Sequence, residues 1–179
     1  MIRSVPQQFE GLIEAAPLAP AVILVRPDRP DRVWVRAAVE HRAARVAAVC
    51  ASLGLSSGAQ VALELKGALD RLAAAYYVLA TGRVLVPPGP NAFILDARVI
   101  SQSEVRAAPY ALRSVARSDD LATTIPRPLA HADLFALLLE RGGPEEDPVW
   151  QALLGLATGK PLIVQADDDA APWALVYAA

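Results

Sequence analysis

The stretch VEHRAARVAAVCASLGLSSGAQVALELKGALDRLAAAYYVLATGRVLVPPGP, residues 39–90, alternates between helical and strand patterns. Apolar residues recur every three or four positions at its start, which predicts a helix over residues 37–53 with Gly54 as a left-handed C-terminal cap. Alternating apolar residues from 61 to 65 predict a strand, a second helix ends near Gly82, and residues 84–86 predict a buried strand. Strand, helix and strand in this order predict a parallel unit with a right-handed crossover.

The residues before this stretch predict one helix and one hairpin. Helical spacing of apolar residues runs from Phe9 to Ala16 and stops at Pro17. Residues 21–25 (AVILV) form a continuous apolar run, which is typical of a strand covered on both faces. A polar turn with two prolines separates this run from residues 33–35, so we expect a β-hairpin.

The pattern after Pro90 is less regular. Asp147 is a favourable N-cap, and Pro148 suits the first turn of the helix that follows it. Residues 121–128 contain two prolines and are predicted to be irregular. The predicted strands are residues 93–95, 162–164 and 173–177, and the predicted helices are residues 104–115, interrupted by Pro109, 131–141, stopped by Gly142-Gly143-Pro144, and 148–157.

Composition excludes several classes of protein. The 179 residues carry a formal net charge of −2 without a basic block, so we expect no nucleic-acid partner. The chain lacks a signal-peptide pattern and an apolar run near the roughly 20 residues of a membrane span, so we expect a cytoplasmic protein. Cys50, the single cysteine, is predicted to be a small buried side chain. We expect one α/β domain over residues 1–179, with residues 91–179 as an extension of the better defined residues 1–90.

The order of elements between Phe9 and Pro90 resembles the start of the adenylate-forming superfamily, which includes acyl-CoA synthetases, luciferases and the adenylation domains of peptide synthetases. The resemblance implies an α/β fold with a parallel or mixed sheet flanked by helices, as in the N-terminal subdomain of acyl-CoA synthetases. One feature departs from the family, because the polar Asn-Ser pair that often opens the second helix is replaced by Lys66-Gly67.

The residues that perform chemistry in that family lie mostly beyond this subdomain. A loop close to TSGTTGKPKG cradles the ATP phosphates, an aspartate holds the ribose, and a lysine in a C-terminal lid stabilises the charge of the transition state. The resemblance implies ATP, Mg and CoA or a carrier protein only for an intact enzyme, and no cofactor for the isolated chain.

Two alignments with the phosphate loop compete at the C-terminal end. In the first, residues 169–179 (DAAPWALVYAA) match the strand that leads into the loop. In the second, residues 147–164 are the loop region and residues 158–161 match its TGKP, but residues 154–157 (LGLA) replace the hydroxyl-rich half. We favour the first alignment, because its distance along the sequence from residues 84–90 suits the strand that leads into the loop. Neither provides a competent phosphate loop, since Leu and Ala supply neither the hydroxyls nor the freedom of Gly that such a loop needs.

Other candidate sites favour structural interpretations. Residues 155–160 are one residue short of a Walker motif, and a helix C-cap at Gly159 explains them better. His41 is expected on a solvated helix face and His131 at the start of a helix. A triad of His131 with Ser101 or Ser103 lacks a nucleophile elbow, and the acidic turns 145–147 and 167–169 lack EF-hand spacing. The aromatic residues Tyr76, Tyr77 and Trp34 are expected in the core or in subunit contacts. We therefore predict no catalytic, cofactor-binding or metal-binding residue.

Three functional interpretations remain open. The resemblance favours a truncated, split or excised N-terminal part of an AMP-forming acyl-CoA synthetase, inactive alone and partnered by the missing C-terminal part of the enzyme. The alternative is a stand-alone, non-catalytic binding or scaffold protein derived from that fold, which acts through self-association or an enzyme partner. An unrelated small α/β enzyme is the third.

Overall fold

The computed structural model describes residues 4–104, 112–125, 127–141, 147–165 and 174–175. The helices in these ranges are α1 (Val5–Ala15), α2 (Arg36–Ser52), α3 (Ala68–Ala80), α4 (Ala97–Glu104), α5 (His131–Arg141) and α6 (Pro148–Thr158). The strands are β1 (Pro20–Val25), β2 (Arg32–Val35), β3 (Gln60–Glu64), β4 (Val84–Leu85), β5 (Phe93–Asp96), β6 (Leu121–Thr123), β7 (Leu129–Ala130), β8 (Leu162–Gln165) and β9 (Ala174–Leu175). None of the described helices combines the length and the apolar character that crossing a bilayer requires.

The strands form two sheets, and the predicted fold class is confirmed. One sheet, sheet B, has the order β5-β3-β4-β6-β7, in which β3 pairs in parallel with both β4 and β5 and β4 pairs in parallel with β6. The predicted parallel β3-α3-β4 unit is therefore present. The other, sheet A, has the order β2-β1-β8-β9. Its β1 and β2 form the predicted antiparallel hairpin, while β1 and β8 pair in parallel and join the two ends of the described chain.

The helix α3 lies at the centre of the core. Every residue from Arg71 to Ala80 is buried. The spacing of apolar residues predicts burial on one face only, but α1, α2, α6 and sheet B all contact this helix. Tyr76 and Tyr77 are core residues, as predicted, and the Tyr76 ring meets that of Phe9 edge to face at 5.1 Å between centroids.

The local predictions for α2 and the hairpin are confirmed with one correction. Gly54 has a φ of 75°, as a left-handed C-terminal glycine requires, and Cys50 is fully buried. Residues 21–25 were expected to be covered on both faces, but only Ala21 and Val22 are buried. The second half of β1 is half-exposed because it extends beside the exposed β1-β2 turn.

The segment between β5 and β6 differs most from the prediction. A helix was expected over residues 104–115, but the described helix α4 comprises Ala97–Glu104. It begins directly after Asp96, whose Oδ1 accepts hydrogen bonds from Arg98 N at 2.9 Å and Val99 N at 3.2 Å. Residues 112–117 are not helical. Pro109 and its neighbours, residues 105–111, lie outside the described residues.

Contacts with two helices hold residues 112–117 in place. The Val115 N–H donates to Ala80 O at 2.8 Å, and the Ser114 N–H donates to the Glu10 carboxylate. Arg113 pairs with Glu14 at 3.0 Å. These tertiary hydrogen bonds replace the intrahelical ones that the prediction required.

Another correction concerns residues 121–128, which were expected to be irregular. Residues 121–123 form β6, which extends sheet B because Leu85 and Thr123 are paired in register. The predictions for α5, α6, β5 and β8 are confirmed within two residues. Residues 174–175 confirm part of the last predicted strand, whereas the rest of that strand and the turns 142–144, 145–146 and 167–169 lie outside the described residues.

Arg36 joins the C-terminal ends of α1 and α6. Its Nη1 donates to Leu12 O at 2.9 Å and its Nη2 to Gly159 O at 3.1 Å. Gly159 adopts a φ of 71°, and a Cβ atom there would lie 2.8 Å from Leu12 Cδ1 and 3.0 Å from Arg36 Nη2. This position therefore favours glycine for its backbone conformation, and any other residue would displace the ends of the Leu12 and Arg36 side chains.

Replacing Gly159 tests this junction. We expect Gly159→Ala to lower the free energy of unfolding by about 2 kcal/mol, because the cost of displacing the ends of Leu12 and Arg36 adds to the left-handed strain. The matched control is Gly54→Ala, where φ is similarly positive at 75° but a Cβ would meet nothing within 4 Å among the described atoms. The control should lose only about 1 kcal/mol. Urea unfolding of both variants measures the difference, and equal losses would contradict the steric role of the junction.

Candidate functional site

The carboxyl ends of the parallel strands in sheet B are a candidate ligand-binding edge. In open parallel sheets, ligands bind outside these ends, where connections leave in opposite directions. The edge is formed by the residues that follow β3, β4, β5 and β6. The polar groups there decide what chemistry this edge can support.

The turn after β3 is held by a buried arginine. Arg71 Nε donates to Leu65 O at 3.1 Å and Nη2 donates to Lys66 O at 2.7 Å. Burial lowers the pKa of Arg71, and the negative charge of Asp147 opposes that shift. The guanidinium thus satisfies two carbonyl groups at the point where the resemblance leads one to expect the Asn-Ser pair.

Other polar side chains at this edge also bind the backbone. Asp96 caps α4, and Thr123 Oγ1 accepts a hydrogen bond from Ile125 N at 3.0 Å. Asp70, in the first turn of α3, pairs with Arg42 of α2. Lys66 is exposed. Arg71, Asp96 and Thr123 at this edge therefore shape turns and helix ends.

The TGKP sequence is the end of a helix. Residues 154–158 form the last turns of α6, and Leu156 and Ala157 are buried. Thr158 Oγ1 donates to Leu154 O at 2.8 Å, and Gly159 is the left-handed residue after the helix. The alignment of residues 147–164 with the phosphate loop is therefore wrong, because the backbone N–H groups of residues 154–158 lie within a helix. The C-cap interpretation of Gly159 is confirmed.

The two histidines occupy opposite environments. His41 is exposed on α2, as predicted. His131 begins α5 and is fully buried, and neither ring nitrogen has a hydrogen-bond partner in the described part of the chain. Burial lowers the pKa of His131 to about 4, although Asp120 opposes the shift. His131 is therefore neutral at physiological pH.

The remaining candidates are not assembled into a catalytic group in the described structure. The Ser101 hydroxyl donates to Arg98 O at 3.2 Å, within its own helix, and the Ser103 side chain is not described. Asp147 Oδ1 accepts hydrogen bonds from Val149 N and Trp150 N, which confirms its predicted capping role. Within the described ranges, no group of three or more His, Cys, Asp or Glu side chains is arranged to bind a metal ion.

Two concave features were not anticipated from the sequence. A groove of about 420 Å³ lies on α5, between Arg127, Asp133 and Glu140. A cavity of about 230 Å³ lies between α2 and the end of α3 and is lined by Tyr77 and Arg83. The signal in the sequence was Arg83 itself, a cation placed directly before the apolar residues of β4.

Comparisons with solved structures identify the fold. The N-terminal subdomain of NpsA from Klebsiella oxytoca, in complex with 3-hydroxybenzoyl-AMSN, matches 96% of this chain with a TM-score of 0.62 and 17% identity. The nonribosomal peptide synthetase FmoA3 in its AMPPNP-bound form matches 97% with a TM-score of 0.66 and 16% identity. A mutant form of coronafacic acid ligase from Pectobacterium brasiliense matches 93% with a TM-score of 0.65 and 9% identity. The chain has the fold of the N-terminal subdomain of adenylate-forming enzymes.

The matches cover most of this chain but only part of each matched structure. The chain spans 55% of the NpsA subdomain structure, 23% of FmoA3 and 46% of coronafacic acid ligase. No protein-family model matches the sequence, and no curated protein sequence matches it. The comparisons therefore show the fold and do not assign an activity.

The buried His131 predicts acid sensitivity. Because its folded-state pKa is about 4 and its ordinary value is 6.5, the unfolded state binds more protons between these values. Its contribution to stability is complete above pH 6.5 and is lost as the pH falls towards 4, by up to about 3 kcal/mol.

The measurement is urea unfolding of the wild type and His131→Leu at pH 7 and pH 4.5. The variant should lose less stability on acidification than the wild type. The matched control is His41→Leu at the exposed histidine, which should follow the wild-type pH dependence. A His131→Leu protein with an unchanged pH dependence would contradict the assignment.

Proposed function

We propose that this chain is the N-terminal structural part of an AMP-forming acid ligase and that it does not activate a carboxylic acid by itself. The observation that carries the proposal is the fold match, which extends over 93–97% of this chain but over only 23–55% of the three adenylate-forming structures compared above. On this view the chain supplies one wall of a larger enzyme.

The local chemistry of the described residues supports the proposal. Two of the polar side chains described at the strand ends, those of Arg71 and Asp96, bind backbone groups. The one stretch that matches part of a phosphate loop in sequence, residues 158–161, follows the end of α6. ATP, Mg and CoA or a carrier protein would then be bound by the complete enzyme, whose reaction joins a carboxylate to AMP and transfers the acyl group to a thiol.

A second candidate is a non-catalytic scaffold protein of the same fold. The supporting observation is the edge of sheet A, where Val33 of β2 is 49% exposed and Leu18, which precedes β1, is 78% exposed. An edge strand with exposed apolar residues favours pairing with another chain. Such a protein would act through self-association or by binding an enzyme.

Pyrophosphate exchange tests the first proposal. The 179-residue chain, given ATP, Mg²⁺ and a panel of carboxylic acids, should show no exchange above a reaction without protein. The longer polypeptide encoded in the same reading frame should show exchange if the codons after residue 179 encode a phosphate loop. Exchange catalysed by the 179-residue chain alone would contradict the proposal.

The second candidate has its own discriminating measurement. A stop codon directly after codon 179 combined with a concentration-independent dimer mass in light scattering would favour the scaffold. A Val33→Lys variant, which places a charge on the edge strand, should then shift the mass to that of a monomer. A monomeric wild-type chain that continues into an in-frame phosphate loop would exclude it.

A further inference from the structure

The cavity between α2 and the C-terminal end of α3 has one wall made of small side chains. Four alanines spaced along one face of α2 form it, and Ala51 among them is exposed, so the cavity is accessible from solvent. The volume of about 230 Å³ is below the roughly 300–1,000 Å³ of sites for drug-sized ligands. The wall residues on α2 are Ala44, Ala47, Ala48 and Ala51.

The opposite wall contains a buried cation. Arg83 is only 8% exposed, and its guanidinium carbon lies 5.0 Å from the centroid of the Tyr77 ring. Its Nη2 donates to Leu55 O and its Nη1 lies 3.5 Å from Thr81 O. Among the residues that the structure describes, its Nε has no hydrogen-bond partner and no carboxylate lies within 4.0 Å of the guanidinium.

Two other side chains of the cavity carry hydroxyl groups. The Thr81 hydroxyl donates to Tyr77 O at 2.7 Å. The Tyr77 hydroxyl is buried next to the thiol of Cys50, a weak hydrogen-bonding group, and burial raises the pKa of Tyr77. The Arg83 charge, its Nε–H and the Tyr77 hydroxyl, which has no hydrogen-bond partner among the described atoms, are therefore the groups that remain for a ligand.

A buried guanidinium without a counter-ion is unfavourable, and an anion in the cavity would relieve this cost. A single positive charge with two buried donors that have no partner among the described atoms, Arg83 Nε–H and the Tyr77 hydroxyl, suits the two oxygens of a monocarboxylate, whereas phosphate requires further donors. The alanine wall suits a compact apolar body. We propose that this cavity binds a small monocarboxylate, with its carboxylate on Arg83 and its apolar body against the alanines of α2.

This proposed site is independent of the proposed function. It lies at the C-terminal end of α3, whereas the turn after β3 precedes the N-terminal end of that helix. The 13 residues of α3 separate the two ends by about 20 Å. The proposed carboxylate would therefore be an additional ligand rather than a group bound at the edge of sheet B.

The test uses the 179-residue chain and benzoate as the probe, followed by NMR titration of backbone amides. We expect saturable shifts that cluster around Ala48, Tyr77 and Arg83. Benzamide has the same shape without the charge and should bind at least about 10-fold more weakly, because a charge-assisted hydrogen bond is lost. Inorganic phosphate should bind at least about 10-fold more weakly than benzoate for lack of further donors.

Two variants locate the site. Ala48→Leu fills the cavity and should weaken benzoate binding by about 10-fold or more, whereas Ala38→Leu makes the same change elsewhere on α2 and should stay within about twofold of the wild type. Arg83→Gln removes the charge and should abolish binding. If Arg83→Gln does not fold, the Ala48→Leu pair decides. The proposal would be overturned if benzoate binding does not saturate, if benzamide or phosphate binds as tightly as benzoate, or if Ala48→Leu leaves benzoate binding unchanged.

Discussion

The burial of α3 on all sides is the constraint on which the rest of the structure depends. Ten consecutive residues, Arg71 to Ala80, are removed from water, which is possible only because small or apolar side chains occupy every direction around the helix. Four alanines among them allow α1, α2 and α6 to approach. The two strands joined by α3 are the parallel pair from which sheet B extends on either side.

Two internal arginines stabilise the connections at the two ends of α3. Carbonyl groups in such turns need hydrogen-bond partners from the protein where packing shields them from water. Arg71 satisfies carbonyl groups in the turn before α3, and Arg83 does the same for Leu55 and Thr81 beyond its other end. The two sites then differ in their charges. Arg71 feels the carboxylate of Asp147, whereas Arg83 faces a cavity and has no carboxylate partner in the described structure. Arg71 therefore has a structural role, whereas the environment of Arg83 favours binding of a ligand.

The same logic connects the fold to the proposed function. The described polar side chains at the carboxyl edge of sheet B are used to build turns and helix ends, as Asp96 and Thr123 illustrate. Under the proposed function, such a subdomain would provide shape and rigidity to a neighbour rather than reacting groups. The partial coverage of the adenylate-forming structures fits a role of this kind, in which a scaffold supports a site completed elsewhere.

The sequence by itself determined the elements whose signals are local. The α2 periodicity, the glycines at 54 and 159 and the Asp147 cap act within a few residues, so they could be predicted correctly. Only the tertiary structure decided the pairing of β1 with β8, which are more than a hundred residues apart. It also decided the strand character of residues 121–123 and the burial of α3 on every side. Short strands carry too few residues to show a pattern, and they form because a neighbouring strand satisfies their hydrogen bonds. The cavity at Arg83 was equally hidden, because its two walls are brought together by the packing of α2 against α3.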